Sequence, residues 1–161
     1  MSCWRSTAVD RERYRTALND VVTDNDGCER GRRSVIVDQA AIDWQGWDDP
    51  SVAAQSTVRW KLLVDGERGP SGGLVTGVAE ISPGGVLPRH HHEPEETYYV
   101  LSGRGMVEIE DAQAEIGPGT AIFIAPDAAH ALHCIGTEPL VFLFTFARDR
   151  FEDVVYHFDA T

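Results

Sequence analysis

Cysteine is scarce in this chain of 161 residues, which has only three cysteines, and none of them forms a CxxC pair. An odd number of scattered cysteines argues against a disulfide framework and a structural zinc ribbon, and it favours a reducing compartment. No apolar run approaches the ~20 residues that a membrane-spanning helix needs, and the N-terminus lacks the apolar core of a signal peptide. We therefore expect a cytoplasmic protein that contacts no membrane.

Basic residues are also few. The chain has 14 lysines and arginines against 26 aspartates and glutamates, which gives a net charge of −12. Residues 1–33 hold seven of the basic residues and six of the acidic ones, which leaves seven basic and twenty acidic residues in 34–161. Because so acidic a surface repels phosphate backbones, we expect a small-molecule substrate and no nucleic-acid partner.

The chain divides into a polar N-terminal extension and one β-rich domain. Residues 1–33 are charge-mixed, and we predict either a short helix over Asp10–Val22 followed by a linker, or disorder. From Ser34 onward, short β-rich runs alternate with Gly, Pro, Asp and Asn signals, with no helical periodicity of comparable length. This spacing is typical of an all-β sandwich or barrel, which we place at residues 34–161.

One of these runs, "PLVFLFTFA" at residues 139–147, is apolar on both faces of the strand that it predicts. Leu140, Phe142 and Phe144 share one face, and Val141 and Leu143 share the other. We interpret the phenylalanines as packing residues of the core. The second apolar face indicates a cover, which is either the N-terminal segment or a second subunit, and we expect a homodimer.

Three of the six histidines are consecutive, in the segment "GGVLPRHHHEPEETYYVLSGRG" at residues 84–105. On a strand His90 and His92 point the same way and His91 points the opposite way. The turn that follows can bring the carboxylate of Glu96 back toward His90 and His92. Burying two imidazoles and a carboxylate costs several kcal/mol unless a divalent cation offsets it, so this pattern predicts a metal site.

A further ligand need not be close in sequence. The run "HALHC" offers His130 and His133, which lie on opposite faces of a strand, so only one of them can join the cluster. With nitrogen and oxygen ligands and no thiolate, the site suits one divalent transition metal per chain. We favour Fe(II) or Mn(II), while Ni(II), Co(II) and Zn(II) remain possible.

These residues resemble the two motifs of the cupin superfamily. The first, G-x5-HxH-x3-E-x6-G, is matched at every position from Gly84 to Gly103. The second, G-x5-P-x-G-x2-H-x3-N, is matched at Gly119 and His130 but has Ala125, Asp127 and Cys134 at its other positions. The resemblance covers residues 57–158 and implies a double-stranded β-helix, or jelly-roll, barrel. The ligands that it implies are His90, His92, Glu96 and His130.

Two tyrosines and two basic residues are further candidates for the site. Tyr98 lies two residues after Glu96 and so on the same face, and Tyr156 stands in the last strand, where it could close over the barrel. A phenol beside a metal is either a packing residue or a usable general base. Arg59 and Lys61 share a strand face, and they either anchor a substrate carboxylate or form a solvated face.

This arrangement of tyrosines is similar to that of the small cupin-type dimethylsulfoniopropionate lyases. The resemblance implies that the metal holds the substrate carboxylate while Tyr98 or Tyr156 removes the α-proton, which gives dimethyl sulfide and acrylate. The same four ligands also fit a mononuclear non-heme iron dioxygenase, which needs no base. A third possibility is a non-catalytic ligand-binding cupin, or one that assists an isomerisation or a cyclisation.

Overall fold

The computed structural model describes residues 18–21, 34–67, 69 and 71–159, and the regular secondary structure of this part of the chain is almost entirely β-strand. One helical turn, α1, spans Pro50–Ala53, and two 3₁₀ turns span Gln39–Ala41 and Phe151–Asp153. The strands are β1 (Leu18–Val21), β2 (Ser34–Val37), β3 (Val58–Val64), β4 (Val75–Ile81), β5 (Val86–His91), β6 (Glu96–Ser102), β7 (Gly105–Ile109), β8 (Ala112–Ile116), β9 (Ala121–Ile124), β10 (His130–Cys134), β11 (Leu140–Phe146) and β12 (His157–Phe158).

Ten of these strands form two antiparallel sheets of five. One sheet has the order β12-β5-β10-β7-β8 and the other has the order β3-β4-β11-β6-β9. Along most strands of the second sheet, buried and exposed residues alternate, so one face of the sheet points into a shared apolar core. The predicted all-β jelly-roll barrel is confirmed.

Strand β11 runs through the middle of the second sheet, paired with β4 on one side and β6 on the other. Its inward residues Leu140, Phe142, Phe144 and Phe146 are all at most 4% exposed. The core role expected for these phenylalanines is therefore confirmed. The residues between them are only partly buried, so the outer face of β11 is half-covered in the described part of the chain.

The motif glycines stand where the backbone requires them. Gly84, Gly103 and Gly119 have φ angles of 70°, 81° and 87°, in the left-handed region that residues with a Cβ atom rarely adopt. Asp127 replaces the motif glycine that precedes His130, and it has a φ of 59°. Asp tolerates left-handed angles better than most residues, so this departure from the motif leaves the turn intact.

The helix expected over Asp10–Val22 is not present where the structure describes that segment. Leu18–Val21 is instead the strand β1, which pairs antiparallel with β2 in a separate two-stranded sheet. The segment "LNDV" shows no alternation of apolar and polar residues, and pairing with "SVIV" overrides the weak helical pattern. Residues 10–17 and Val22 lie outside the described residues, and the division at residue 33 stays a prediction. No helix of the described residues is long and apolar enough to cross a membrane.

Candidate metal centre

Three histidines converge inside the barrel. His90 lies near the end of β5, directly opposite His130 of β10, and His92 follows β5 immediately. All three are at most 1% exposed, and one ring nitrogen from each lies within 4.8 Å of the others. The two strands and their pairing register therefore bring together histidines that are 40 residues apart along the chain.

The outer ring nitrogens fix the tautomer of each histidine. Nδ1 of His90 lies 2.8 Å from the carbonyl oxygen of Pro88, and Nδ1 of His130 lies 2.8 Å from that of Ala128. Nδ1 of His92 lies 2.9 Å from the carbonyl oxygen of Pro94. Since a carbonyl only accepts, each Nδ1 carries a hydrogen and donates, and each ring turns its Nε2 toward the cluster as the candidate ligand atom.

These inner nitrogens face a carboxylate that cannot donate to them. Oε2 of Glu96 lies 3.1 Å from Nε2 of His92 and 3.6 Å from Nε2 of His130, and the Glu96 side chain is 3% exposed. The Nε2 atoms of His90 and His130 have no hydrogen-bond partner among the described residues. Buried lone pairs that converge without a donor are unfavourable, and a divalent cation is the ligand that their chemistry fits.

Burial also keeps His90 ready to bind a metal. Desolvation lowers the pKa of His90 well below 6.5, and the charges of neighbouring histidines, His130 first, lower it further. A hydrogen bond to the Pro88 carbonyl opposes this shift only in part. His90 is therefore neutral at neutral pH, which is the protonation state that a metal ligand requires.

Two phenols lie beside this cluster. Tyr98 is 3% exposed, and its ring centroid lies 6.1 Å from that of His130. Tyr156 is partly buried, with its ring centroid 5.2 Å from that of His90 and 5.5 Å from that of His92. Burial raises the pKa of both phenols well above 10, and the negative charge of Glu96 raises it further. Both tyrosines are therefore protonated at neutral pH in the metal-free protein.

Glu96, Tyr98 and Tyr156 line one pocket, which contains about 350 Å³ of space between protein atoms, its mouth included. The remaining lining residues are apolar or aromatic, and none is a lysine or an arginine. They are Trp47, Val58, Trp60, Ala79, Leu87, Phe142, Phe144 and Phe151. The structure thus brings one candidate ligand, Glu96, and both candidate bases to one largely apolar pocket beside the histidine cluster.

The structure does not bring Arg59 and Lys61 to this pocket. Both side chains leave β3 on the face opposite Trp60 and contact the ring of Trp44, at 4.3 Å and 4.8 Å from its centroid. Arg59 also pairs with Glu80, and Nζ of Lys61 donates to the carbonyl oxygen of Gln39. Their placement supports a structural role on the outer face, rather than the anchoring of a substrate carboxylate.

The other histidines also lie outside the cluster. His91 points away from it, as expected from strand alternation, and its ring stacks on that of His157 at 4.9 Å. His133 pairs with Glu108 at 2.9 Å and is 41% exposed. Of the two candidates in β10, it is therefore His130 that joins the cluster.

Sequence reasoning missed the aromatic wall of the pocket. Trp47 comes from the segment before α1, and Phe151 comes from the 3₁₀ turn near the C-terminus. Neither residue belongs to a motif or to a periodic run. The position of Trp60 could have been predicted from the sequence. It lies between Arg59 and Lys61 on one strand, so its side chain points to the opposite face from theirs.

Comparison with known proteins agrees with this geometry. A family model described as "Cupin domain" matches residues 77–146. The chain is 36% identical, over 78% of its length and 80% of the relative's, to the dimethylsulfoniopropionate lyase DddW of Ruegeria pomeroyi. The polyketide cyclase RemF of Streptomyces resistomycificus shares 27% identity and a TM-score of 0.65, over 78% of this chain and 86% of that chain.

A further solved structure is that of a lyase. A chain in the crystal structures of the dimethylsulfoniopropionate lyases RdDddP and RnDddQII shares 25% identity with this chain and a TM-score of 0.62. The match covers 74% of this chain and 63% of that chain. All of these named relatives are enzymes, which agrees with a pocket built beside the three-histidine cluster.

Proposed function

Because the chain belongs to the cupin superfamily, we propose that it is a metal-dependent lyase that cleaves dimethylsulfoniopropionate to dimethyl sulfide and acrylate. One observation carries the proposal: two phenols and a carboxylate line a single pocket, and the same three side chains lie against the three-histidine cluster. A base-assisted elimination can use this combination, and the similarity to DddW supports dimethylsulfoniopropionate as the substrate.

In this proposal His90, His92, Glu96 and His130 hold one divalent metal. When bound, the ion supplies positive charge that offsets Glu96 and receives the substrate carboxylate. The remaining wall of the pocket offers no basic side chain to a carboxylate, so the substrate is oriented with its other end against the aromatic wall. Fe(II) or Mn(II) remains our preferred metal, and the nitrogen and oxygen ligands also fit Ni(II), Co(II) and Zn(II).

Tyr98 and Tyr156 are the candidates for the base. The phenolate oxygen of one of them takes the proton from the carbon next to the substrate carboxylate. The electron pair of that C–H bond forms the new carbon–carbon double bond, the carbon–sulfur bond breaks, and sulfur leaves with its electrons as neutral dimethyl sulfide. The positive charge of the sulfonium is cancelled in this step, so no oxidant or reductant is consumed.

The raised pKa values of the phenols give the proposal a further requirement. Since burial and the charge of Glu96 keep both tyrosines protonated in the metal-free protein, neither can act as a base at neutral pH. Removal of the metal must therefore abolish activity for two reasons: the substrate carboxylate loses its binding partner, and the tyrosine stays protonated and cannot act as a base.

Anaerobic incubation with dimethylsulfoniopropionate tests the function. The protein is loaded separately with Fe(II), Mn(II), Ni(II), Co(II) and Zn(II), dimethyl sulfide is measured in the headspace, and acrylate is measured by NMR. We expect equal amounts of both products with at least one metal. If no metal supports release, the lyase is excluded, and consumption of substrate only in the presence of O2 would favour the dioxygenase.

The likeness to RemF favours a cyclase as the second candidate. A cupin of that kind would act on a polyketide. The pocket beside the histidine cluster is lined by a carboxylate and two phenols, which fits a base-assisted elimination better. Turnover of dimethylsulfoniopropionate would decide between the two.

A further inference from the structure

Apart from the carboxylate of Glu96, the wall of the pocket is largely aromatic. Seven of the eleven lining residues are tryptophan, tyrosine or phenylalanine, three are aliphatic, and the only charged residue is Glu96. An anionic or a strongly hydrated group would find no partner on this wall. A cation that is weakly hydrated and carries methyl groups would find both apolar contact and the negative faces of aromatic rings.

Trp47 is the centre of this wall. Its ring makes edge-to-face contacts with Trp60 at 4.9 Å, Tyr156 at 5.1 Å and Phe158 at 5.2 Å. Its indole N–H donates to Oγ of Ser56 at 3.0 Å, so the hydrogen bond fixes the ring orientation before any ligand binds. A ring that is already ordered loses little conformational entropy on binding.

Trp60 is a second tryptophan of this wall. It is 5% exposed, it lines the pocket, and its indole N–H has no hydrogen-bond partner among the described residues. Buried donors normally have a partner, so an oxygen atom of a ligand or of a water completes this one. With the substrate carboxylate on the metal, a water completes this donor, and the ring of Trp60 stays available to the other end of the ligand.

We propose that Trp47, Trp60 and Tyr156 form an onium-binding corner, which selects small carboxylates whose far end is a methylated sulfonium or quaternary ammonium group. The inference rests on the proposed function, because it assigns the end of the substrate that the metal does not hold. Trp47 is then a specificity-determining residue that comes from the segment before α1, outside residues 77–146 that match the family model.

Two ligands that differ only in charge test this directly. In the zwitterion 3-(trimethylammonio)propionate the far end is cationic, and in its isostere 4,4-dimethylpentanoate the far end is an uncharged tert-butyl group; the two have the same shape and the same carboxylate. We expect the metal-loaded protein to bind the ligand with the cationic end about tenfold more tightly by calorimetry, since a desolvated cation gains this much from aromatic faces. Equal affinity for the two ligands would overturn the proposal, even in a protein that folds and turns over normally.

Substitution of Trp47 assigns the effect to the corner. In Trp47→Leu the ratio of the two affinities should fall to near one, and in Trp47→Phe it should lie between the two values. Trp44→Leu is the matched control, because Trp44 lies three residues away and contacts Arg59 and Lys61 instead of the pocket. A wild-type ratio in Trp47→Leu would remove Trp47 from the site.

The same measurements separate the two proposals from each other. If dimethyl sulfide is never released but the ligand with the cationic end is still preferred, the lyase assignment fails and the onium-binding corner stands. If dimethyl sulfide is released but the isosteres bind equally, the corner fails and the lyase stands. Comparison of dimethylsulfoniopropionate itself with the ammonium ligand then shows which onium group fits better.

Discussion

Tyr98 and Tyr99 are neighbours in β6, yet their side chains lie in opposite environments. Tyr98 is 3% exposed and faces Glu96 and the pocket, whereas Tyr99 is 47% exposed on the outside of the barrel. His90 and His91 differ in the same way, since one joins the cluster and the other stacks on His157 at the surface. Because side chains alternate along a strand, two neighbouring residues of the same type point in opposite directions. One faces the candidate site and the other faces the outside of the barrel.

This comparison has its largest expected consequence for metal binding. His92→Ala removes an Nε2 atom from the cluster, and we expect it to lose nearly all of the one divalent metal per chain that the wild type carries. His91→Ala removes an imidazole from the outer face and should keep full metal content. Metal analysis of the purified proteins is the measurement.

Full metal content in His92→Ala, or loss of metal in His91→Ala, would contradict the assignment of metal binding to the inward face of this segment. Glu96→Ala extends the test to the carboxylate, which contacts two of the three histidines.

The two adjacent tyrosines provide the next test. Tyr98→Phe should keep the metal and reduce the rate of dimethyl sulfide release by about 100-fold, because a positioned base contributes at least this much. Tyr156→Phe is the parallel variant for the second candidate base. Tyr99→Phe removes a hydroxyl from the exposed face and should leave the rate unchanged.

Normal turnover in both Tyr98→Phe and Tyr156→Phe would return the two phenols to packing roles. A loss in only one of them would identify the base.

A smaller effect is expected in the pH dependence of stability. In the metal-free protein the pKa of His90 is lowered well below 6.5, so the unfolded chain binds a proton there that the folded protein does not. The free energy of unfolding should therefore fall as the pH drops below about 6.5, by up to about 1.4 kcal/mol per pH unit from this group.

Urea unfolding of the metal-free wild type and of His90→Leu between pH 5 and pH 7 measures the contribution of His90, and the slope should be smaller in the variant. If the free energy of unfolding changes equally with pH in both proteins, His90 does not make this contribution. The raised pKa values of Tyr98 and Tyr156 act at the other end of the scale, and stability should fall as the pH rises above about 10.

The smallest expected effect on chemistry comes from the outer face. Tyr99, Leu101 and Phe123 are each at least 46% exposed and lie together on the neighbouring strands β6 and β9. A second copy of a chain with a net charge of −12 is repelled least where the surface is uncharged. For the predicted homodimer, we therefore expect Phe123→Glu to produce a monomer with unchanged metal content.

Light scattering after gel filtration gives the mass of both proteins. A monomeric wild type would contradict the predicted homodimer. A dimeric Phe123→Glu would show that the dimer interface lies elsewhere on the surface.

Much of this site is predictable from sequence because it depends on local periodicity. Alternation correctly separated His90 and His92 from His91 and placed Tyr98 inward, since these are consequences of a period of two residues. The choice between His130 and His133 could not come from alternation alone. It depends on the pairing of β10 with β5, which sets His130 opposite His90.

Features that depend on long-range packing were missed or wrong. The strand at Leu18–Val21 forms because β2 offers it a partner, and pairing of this kind leaves little trace in a short polar segment. The sequence correctly placed Arg59 and Lys61 on one face, but it did not show that both side chains contact Trp44 and that neither lines the pocket. Trp47 reaches the pocket through an irregular segment with no periodicity at all.

A metal titration of the metal-free protein under anaerobic conditions tests the central claim most directly. The rate of dimethyl sulfide release from dimethylsulfoniopropionate is measured as the divalent metal is added in steps. We predict no release without metal, a linear rise, and a break at one equivalent per chain. Absence of release at every metal content, or release that does not depend on the metal, would contradict the account.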